Sequence, residues 1–239
     1  MTVRVNQMDN VIFVKQYSGE DEAFGVNKKE IFRYAGYSGR FDPKNDQVEK
    51  LLSEVIDDCK DDLSYRVCYR IMDLSWEQNS PQLPFGTESK NLAKCLEGSS
   101  KVIIFAATIG LGIDRKIARY QRISPSKALL LQAYGAERVE CLCDAFCKEI
   151  GAGAAKEGLF CTPRFSPGYG DLPLDTQRDI FKLLECSVKI GVTLNDSLLM
   201  TPSKSVTAVF GLRNTDHAKL NKCEMCTKTD CLFQAEKEE

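Results

Sequence analysis

No stretch of this chain approaches the ~20 consecutive apolar residues that a membrane-crossing helix requires. The longest apolar run near the N-terminus is Val11-Ile12-Phe13-Val14, too short for the core of a secretory signal. The expectation is therefore a cytoplasmic protein with no membrane partner. An excess of one charge is missing too: 32 basic and 34 acidic residues leave a formal charge of −2. That excludes the concentrated basic surface that phosphate backbones demand, so nucleic acid is not an expected partner. Internal repeats and low-complexity linkers are lacking as well, which favours a single domain. The turn Gly110-Leu111-Gly112-Ile113-Asp114 has Arg115 where a dinucleotide fingerprint needs its third glycine. No strand–helix rhythm repeats around it, and a tight structural turn is expected.

What is present suits a soluble globular protein with a substantial core: 239 residues, 43% hydrophobic and 28% charged. Cysteine is abundant at eleven residues, an odd number that cannot all pair internally. Without a secretion signal these read as reduced thiols or ligands; eight are scattered, and several of those, at apolar positions of predicted helices, read as small buried hydrophobes. The other three form Cys223-Glu224-Met225-Cys226 followed by Cys231. Thiolates at that spacing can face one ion, which makes zinc or an iron–sulfur cluster the candidate. A fourth ligand would come from His217 or Cys161. A charged C-terminal tail whose thiols bind nothing is the alternative.

Hydrophobic periodicity outlines the elements. An Asp42-Pro43 cap precedes Val48, Leu51, Leu52, Val55, Ile56 and Cys59 at helical spacing. Ser124-Pro125 opens a long helix through Leu129, Ala133, Val139, Leu142 and Phe146, expected to end in the glycine-rich stretch 151–158. A helix is predicted over 112–123, another over 89–96, and one continuous helix over 176–190, with Gly191 past its end. Strands are predicted at 11–14, 65–74, 101–107, 197–200 and 206–212, with 80–86 as a loop. The fold class this implies is α+β, one domain with a mixed, mostly antiparallel sheet and flanking helices.

The densest chemistry lies in Arg164-Phe165-Ser166-Pro167-Gly168-Tyr169. A guanidinium presents a planar fork that matches a carboxylate. Pro167 presets a turn, and Gly168 permits positive φ or close backbone approach to a ligand. Tyr169 offers a ring face that attracts cations. Together these suit a small molecule carrying both a carboxylate and a positive centre; an ordinary surface turn is the plainer reading of the same six residues.

The order Arg164-x-x-x-Gly168-Tyr169, Asp175-Thr176, Leu183-Leu184-Glu185, Leu194-Asn195-Asp196-Ser197 and Met200-x-Pro202-x-x-Ser205-Val206 resembles the S-adenosylmethionine-binding activation domain of cobalamin-dependent methionine synthase. The resemblance is weaker upstream, at Arg33-Tyr34-Ala35-Gly36-Tyr37, Ala107-Thr108-Ile109-Gly110 and Ala136-Glu137-Arg138, and ends near Leu212. It implies an activation domain over 1–212 with a cysteine-containing tail at 213–239. It also implies S-adenosylmethionine as ligand, and cobalamin carried by a separate methionine synthase as partner. In this reading Arg164 binds the methionine carboxylate. Phe165, Pro167, Gly168 and Tyr169 line the site, and Glu137 or Glu140 on the long helix meets the ligand. No catalytic side chain is implied: the chain would act as an accessory, reactivating component, in trans on the synthase. Two other classes stay open. One is an independent S-adenosylmethionine-dependent methyltransferase. The other is a metal or corrinoid accessory protein that uses Cys223, Cys226 and Cys231.

Overall fold

The run Val102-Ile103-Ile104-Phe105-Ala106-Ala107 is apolar on both parities, as a strand covered on both faces must be, and all six residues are buried. The computed structural model, which describes residues 11–19, 24–37 and 46–215, places it at the centre of a five-stranded sheet. In chain order the elements are β1 (Phe13–Tyr17), α1 (Lys28–Tyr34), α2 (Asp46–Cys59), β2 (Tyr65–Asp73), β3 (Ser75–Glu77), β4 (Ser80–Gln82), α3 (Lys90–Leu96), β5 (Ser99–Thr108), α4 (Gly112–Ile123), α5 (Pro125–Ala155), β6 (Phe160–Cys161), α6 (Thr176–Leu184), α7 (Cys186–Lys189), β7 (Thr193–Leu194), β8 (Met200–Thr201) and β9 (Ser205–Arg213). The sheet order is β1-β2-β5-β9-β6, and every neighbouring pair is antiparallel. The α+β class with an antiparallel sheet expected from the sequence is the one observed.

Side-chain alternation along the strands feeds two cores. Val67, Ile103, Phe105, Ala107, Ala208 and Phe210 face α1, α2, α4 and the 31-residue α5. Cys68, Val102, Ile104, Ala106 and Val209 face the other way, against α3, α6 and α7. The eight described cysteines are all free thiols; Cys59, Cys68, Cys95, Cys143 and Cys186 are buried in these layers, as small hydrophobes would be.

Several expectations are corrected. The single helix predicted over 176–190 is two, because Glu185 adopts a left-handed conformation (φ 49°) that ends α6. Val188, counted on its apolar face, is 81% exposed. The strand predicted at 197–200 is mostly turn: only Met200–Thr201 pairs, with Thr193–Leu194. The loop at 80–86 begins with half of a hairpin, β3–β4, whose turn residues Gln78 and Asn79 both have positive φ, as a two-residue hairpin turn requires. The first strand lies at 13–17 rather than 11–14, whereas α5 ends at Ala155, inside the stretch 151–158 where its end was expected. The Asp42-Pro43 cap lies outside the described residues. At the turn before α4 a Cβ on Gly112 would collide with the backbone carbonyl of Asp62. That glycine serves close packing, not phosphate binding.

Candidate functional site

The outer edge of β9 is only partly paired. β6 meets it at Phe160↔Arg213 and Cys161↔Leu212. Thr162 then donates its backbone N–H to Gly211 O (2.9 Å) and accepts from Gly211 N–H through its hydroxyl (2.8 Å). Phe165 and Val209 exchange two backbone hydrogen bonds, each 2.8 Å. Beyond this bridge the chain leaves the edge through the Pro167-Gly168 turn, where Gly168 has φ +88° and donates to Leu172 O (2.9 Å). Among the described residues no strand covers the edge at 205–208, and a hollow of about 220 Å³ opens there. Arg164, Phe165, Pro167 and Tyr169 line it, together with Gln177 of α6, Met200 and residues 205–207. Gly168 shapes the turn without lining the hollow. The Tyr169 ring is 61% exposed where it borders the opening.

Arg164 sits at the head of this hollow with its side chain only 10% exposed. Its Nη2 donates to Glu140 Oε2 (3.2 Å) and Asp144 Oδ1 (2.5 Å), both on α5. Burial works against its charge, and Cys143, Glu140 and Asp144 reverse that effect, leaving its pKa above the ordinary arginine value. One guanidinium between two carboxylates leaves a net negative end, attractive to a cation. Glu140 and Arg164 also border an adjoining hollow of about 460 Å³, reached by Glu30, Tyr34, Glu137 and Asp144.

The structure separates the two candidate glutamates. Glu140 reaches the first hollow; Glu137 does not. Glu137 is 5% exposed and accepts from Arg138 Nε and Nη2 and from the backbone N–H of Asn27. Arg138, 2% exposed, also donates to the carbonyls of Phe24 and Gly25. This buried pair fastens α5 to the start of α1.

Three polar groups escaped the sequence reading. Asp171, just past the motif, accepts from Ser89 Oγ and from the backbone N–H groups of Lys90 and Asn91, tying the turn to the start of α3. Gln177 and Thr207 line the hollow at 6% and 2% exposure. The Met200–Val206 segment carried the resemblance and pointed near Thr207; nothing in the sequence marks Gln177.

Of the metal candidates, Cys223, Cys226, Cys231 and His217 lie outside the described residues. Cys161 sits on β6 against Gly151, and burial pushes its thiol pKa up. Among the described residues no group of three or more His, Cys, Asp or Glu could hold a metal, and no helix is long and apolar enough to cross a membrane.

The family described as "Vitamin B12 dependent methionine synthase, activation domain" matches residues 92–228, a span that contains the hollow's walls and runs past Leu212 to include Cys223 and Cys226. No curated protein matches the chain. Among solved structures, a crystal structure of the MetH reactivation domain bound to AdoHcy matches with a TM-score of 0.65 and 14% identity, over 86% of this chain and 79% of the other. The two share a fold.

Proposed function

The chain belongs to the family of vitamin B12-dependent methionine synthase activation domains, and from that premise we propose that it binds S-adenosylmethionine in the hollow at the β9 edge. It would present the ligand to the cobalamin module of a separate methionine synthase in the cytoplasm, with residues 1–212 as the working domain. The ligand supplies a sulfonium methyl group, and reduced cobalamin on the partner is its acceptor. The similar domain of known structure is described as bound to AdoHcy, the demethylated form of this ligand.

The observation that carries the reading is the buried Arg164 gripped by Glu140 and Asp144 at the head of the hollow. A ligand that is itself an amino acid brings a carboxylate and an ammonium, and this trio offers a partner to each. Arg164 takes the carboxylate through its remaining donors. Glu140, rather than Glu137, takes the ammonium, because only Glu140 reaches this space. Phe165 and Pro167 form an apolar wall, the Gly168 turn aims the backbone, and Tyr169 places a ring face near the positive sulfur. None of these groups needs to act as base or nucleophile. Their contribution is to hold a reactive group in one orientation at an edge open to a macromolecular partner, which lowers the barrier through effective concentration.

Calorimetry with S-adenosylmethionine tests the binding half. Arg164→Ala should weaken it by about 1.5–3 kcal/mol, the scale of a hydrogen bond to a charged group, with the fold intact by circular dichroism. The functional half is read from the visible spectrum of an oxidised partner synthase mixed with reductant and S-adenosylmethionine. The spectrum should change faster when this protein is added, and this protein without the synthase should form no S-adenosylhomocysteine. Turnover of a small-molecule acceptor by this protein by itself would instead identify an independent methyltransferase.

A further inference from the structure

Two buried oxygen atoms in the wall of the hollow have no hydrogen-bond partner among the described residues: Oε1 of Gln177 and Oγ1 of Thr207. Their residues are 6% and 2% exposed, and both line the same space. A buried acceptor left unpaired costs ~1–3 kcal/mol, and native interiors keep few of them. The neighbouring hydroxyl shows the contrast: Ser205 Oγ donates within reach of Thr108 Oγ1 (2.9 Å) and Pro202 O (2.8 Å).

The backbone adds a second feature at the same place. In an antiparallel ladder the N–H and C=O of alternate residues point to the same side. Val209 directs both groups outward to Phe165 (2.8 Å each). Thr207, two residues earlier and paired across the sheet with Ala106 in unbroken register, therefore turns its own N–H and C=O to the uncovered edge. A strand edge with a donor beside an acceptor, two unpaired side-chain oxygens, and flat apolar surfaces from Phe165, Pro167 and Met200 complement one kind of group. It is a planar heterocycle whose rim carries an amine next to a ring nitrogen.

We infer that Gln177 and Thr207 determine specificity at this site by accepting hydrogen bonds from the exocyclic amine of a 6-aminopurine base. The inference rests on the ligand reading given above: Arg164 and Glu140 hold the amino-acid end, and Gln177 and Thr207 read the base. A 6-oxopurine has a carbonyl oxygen in place of the amine and sets an acceptor against the Gln177 amide oxygen, whereas the Thr207 hydroxyl can donate as well as accept and discriminates less.

The test measures binding of S-adenosylhomocysteine and its inosine counterpart, S-inosylhomocysteine, by calorimetry. The proteins are the full chain and the variants Gln177→Met and Thr207→Val, which keep size and remove the acceptor. The wild type should prefer the adenosine ligand by roughly 5- to 150-fold, the range expected for one unpaired buried acceptor. Gln177→Met should lose most of that preference and Thr207→Val a smaller part of it, while the unfolding midpoint of each stays at or above the wild-type value, because each deletes a polar atom that is unpartnered in the folded protein. A structural role would lower the midpoint instead. Equal wild-type affinity for the two ligands overturns the inference, and so does an undiminished preference in Gln177→Met. If the wild type binds neither ligand, the S-adenosylmethionine reading falls with it; binding without base discrimination sinks the inference alone.

Discussion

Glu137 and Glu140 lie three positions apart on α5 in different surroundings, the first buried against Arg138 and the second bordering the hollow. Burying an ion pair costs solvation, and removing one member leaves the other charged and unpaired, at ~3–5 kcal/mol. Arg138 depends on Glu137 for that pairing, so Glu137→Ala should lower unfolding free energy by about that amount in a denaturant titration. Glu140 has a side chain 41% exposed, and surface pairs contribute ~0–1 kcal/mol. Glu140→Gln should therefore leave the midpoint nearly unchanged and weaken S-adenosylmethionine by roughly 5-fold or more. The opposite pattern, a stable Glu137 variant and an unstable Glu140 variant, would reverse the assignment. The sequence offers both glutamates equally, as polar positions on one helix. What separates them is contact between Arg138 and the carbonyls of Phe24 and Gly25, 114 and 113 residues away in the chain. No local pattern encodes it. Arg164, Pro167, Gly168 and Tyr169 were legible because their chemistry is concentrated in six consecutive residues. The Gln177 amide was not, because its meaning comes from where α6, packed on β5 and β2, brings it to the same hollow as the start of β9.

At the scale of elements, Asp171 joins the motif turn to α3. Its carboxylate accepts from two backbone N–H groups at the helix start and from Ser89 Oγ, which itself accepts from Leu92 N–H as the cap. Burial would raise its pKa, and these hydrogen bonds outweigh that and hold it below the ordinary aspartate value. A carboxyl whose pKa is lowered by folding contributes stability at any pH above its unfolded value, ~3.9, and loses it as pH falls through the lowered one. Asp171→Asn should cost about 0.5–2 kcal/mol at pH 7, and the gap between variant and wild type should close on acidification below pH ~4. A gap independent of pH would show that shape, not charge, makes this connection. Long periodic elements such as α5 and β5 could be read from the chain because one face or both are apolar throughout. The α6–α7 break could not: the apolar spacing of Ile180, Leu183, Leu184 and Val188 continues across it. The interruption is made by a glutamate in a left-handed conformation, not by glycine or proline. The β3–β4 hairpin was hidden for a similar reason, since Gln78-Asn79 lacks the glycine that usually marks such a turn.

For the molecule as a whole, the candidate site is assembled at the margin of the sheet from α5, the motif turn, α6, β8 and the start of β9. A central cleft would enclose its ligand, whereas an edge leaves one side open for a protein-borne cofactor. The cysteine tail is the remaining question at this scale. Cys223, Cys226 and Cys231 fall beyond β9, which ends at Arg213, and the residues that border the hollow run from Glu140 to Thr207. The proposed contacts, from Arg164, Glu140, Gln177 and Thr207, all lie within that span. Removing residues 222–239 should therefore leave the affinity for S-adenosylmethionine within about twofold of the full chain, the scatter of a change remote from a site. Metal analysis on the same two proteins gives a separate reading. Any zinc or iron that accompanies the full chain should leave with the tail, because the described residues hold no cluster able to bind it. Loss of ligand affinity with an unchanged unfolding midpoint would instead make the tail a wall of the pocket. Its cysteines, with or without a metal, would then belong to the binding site.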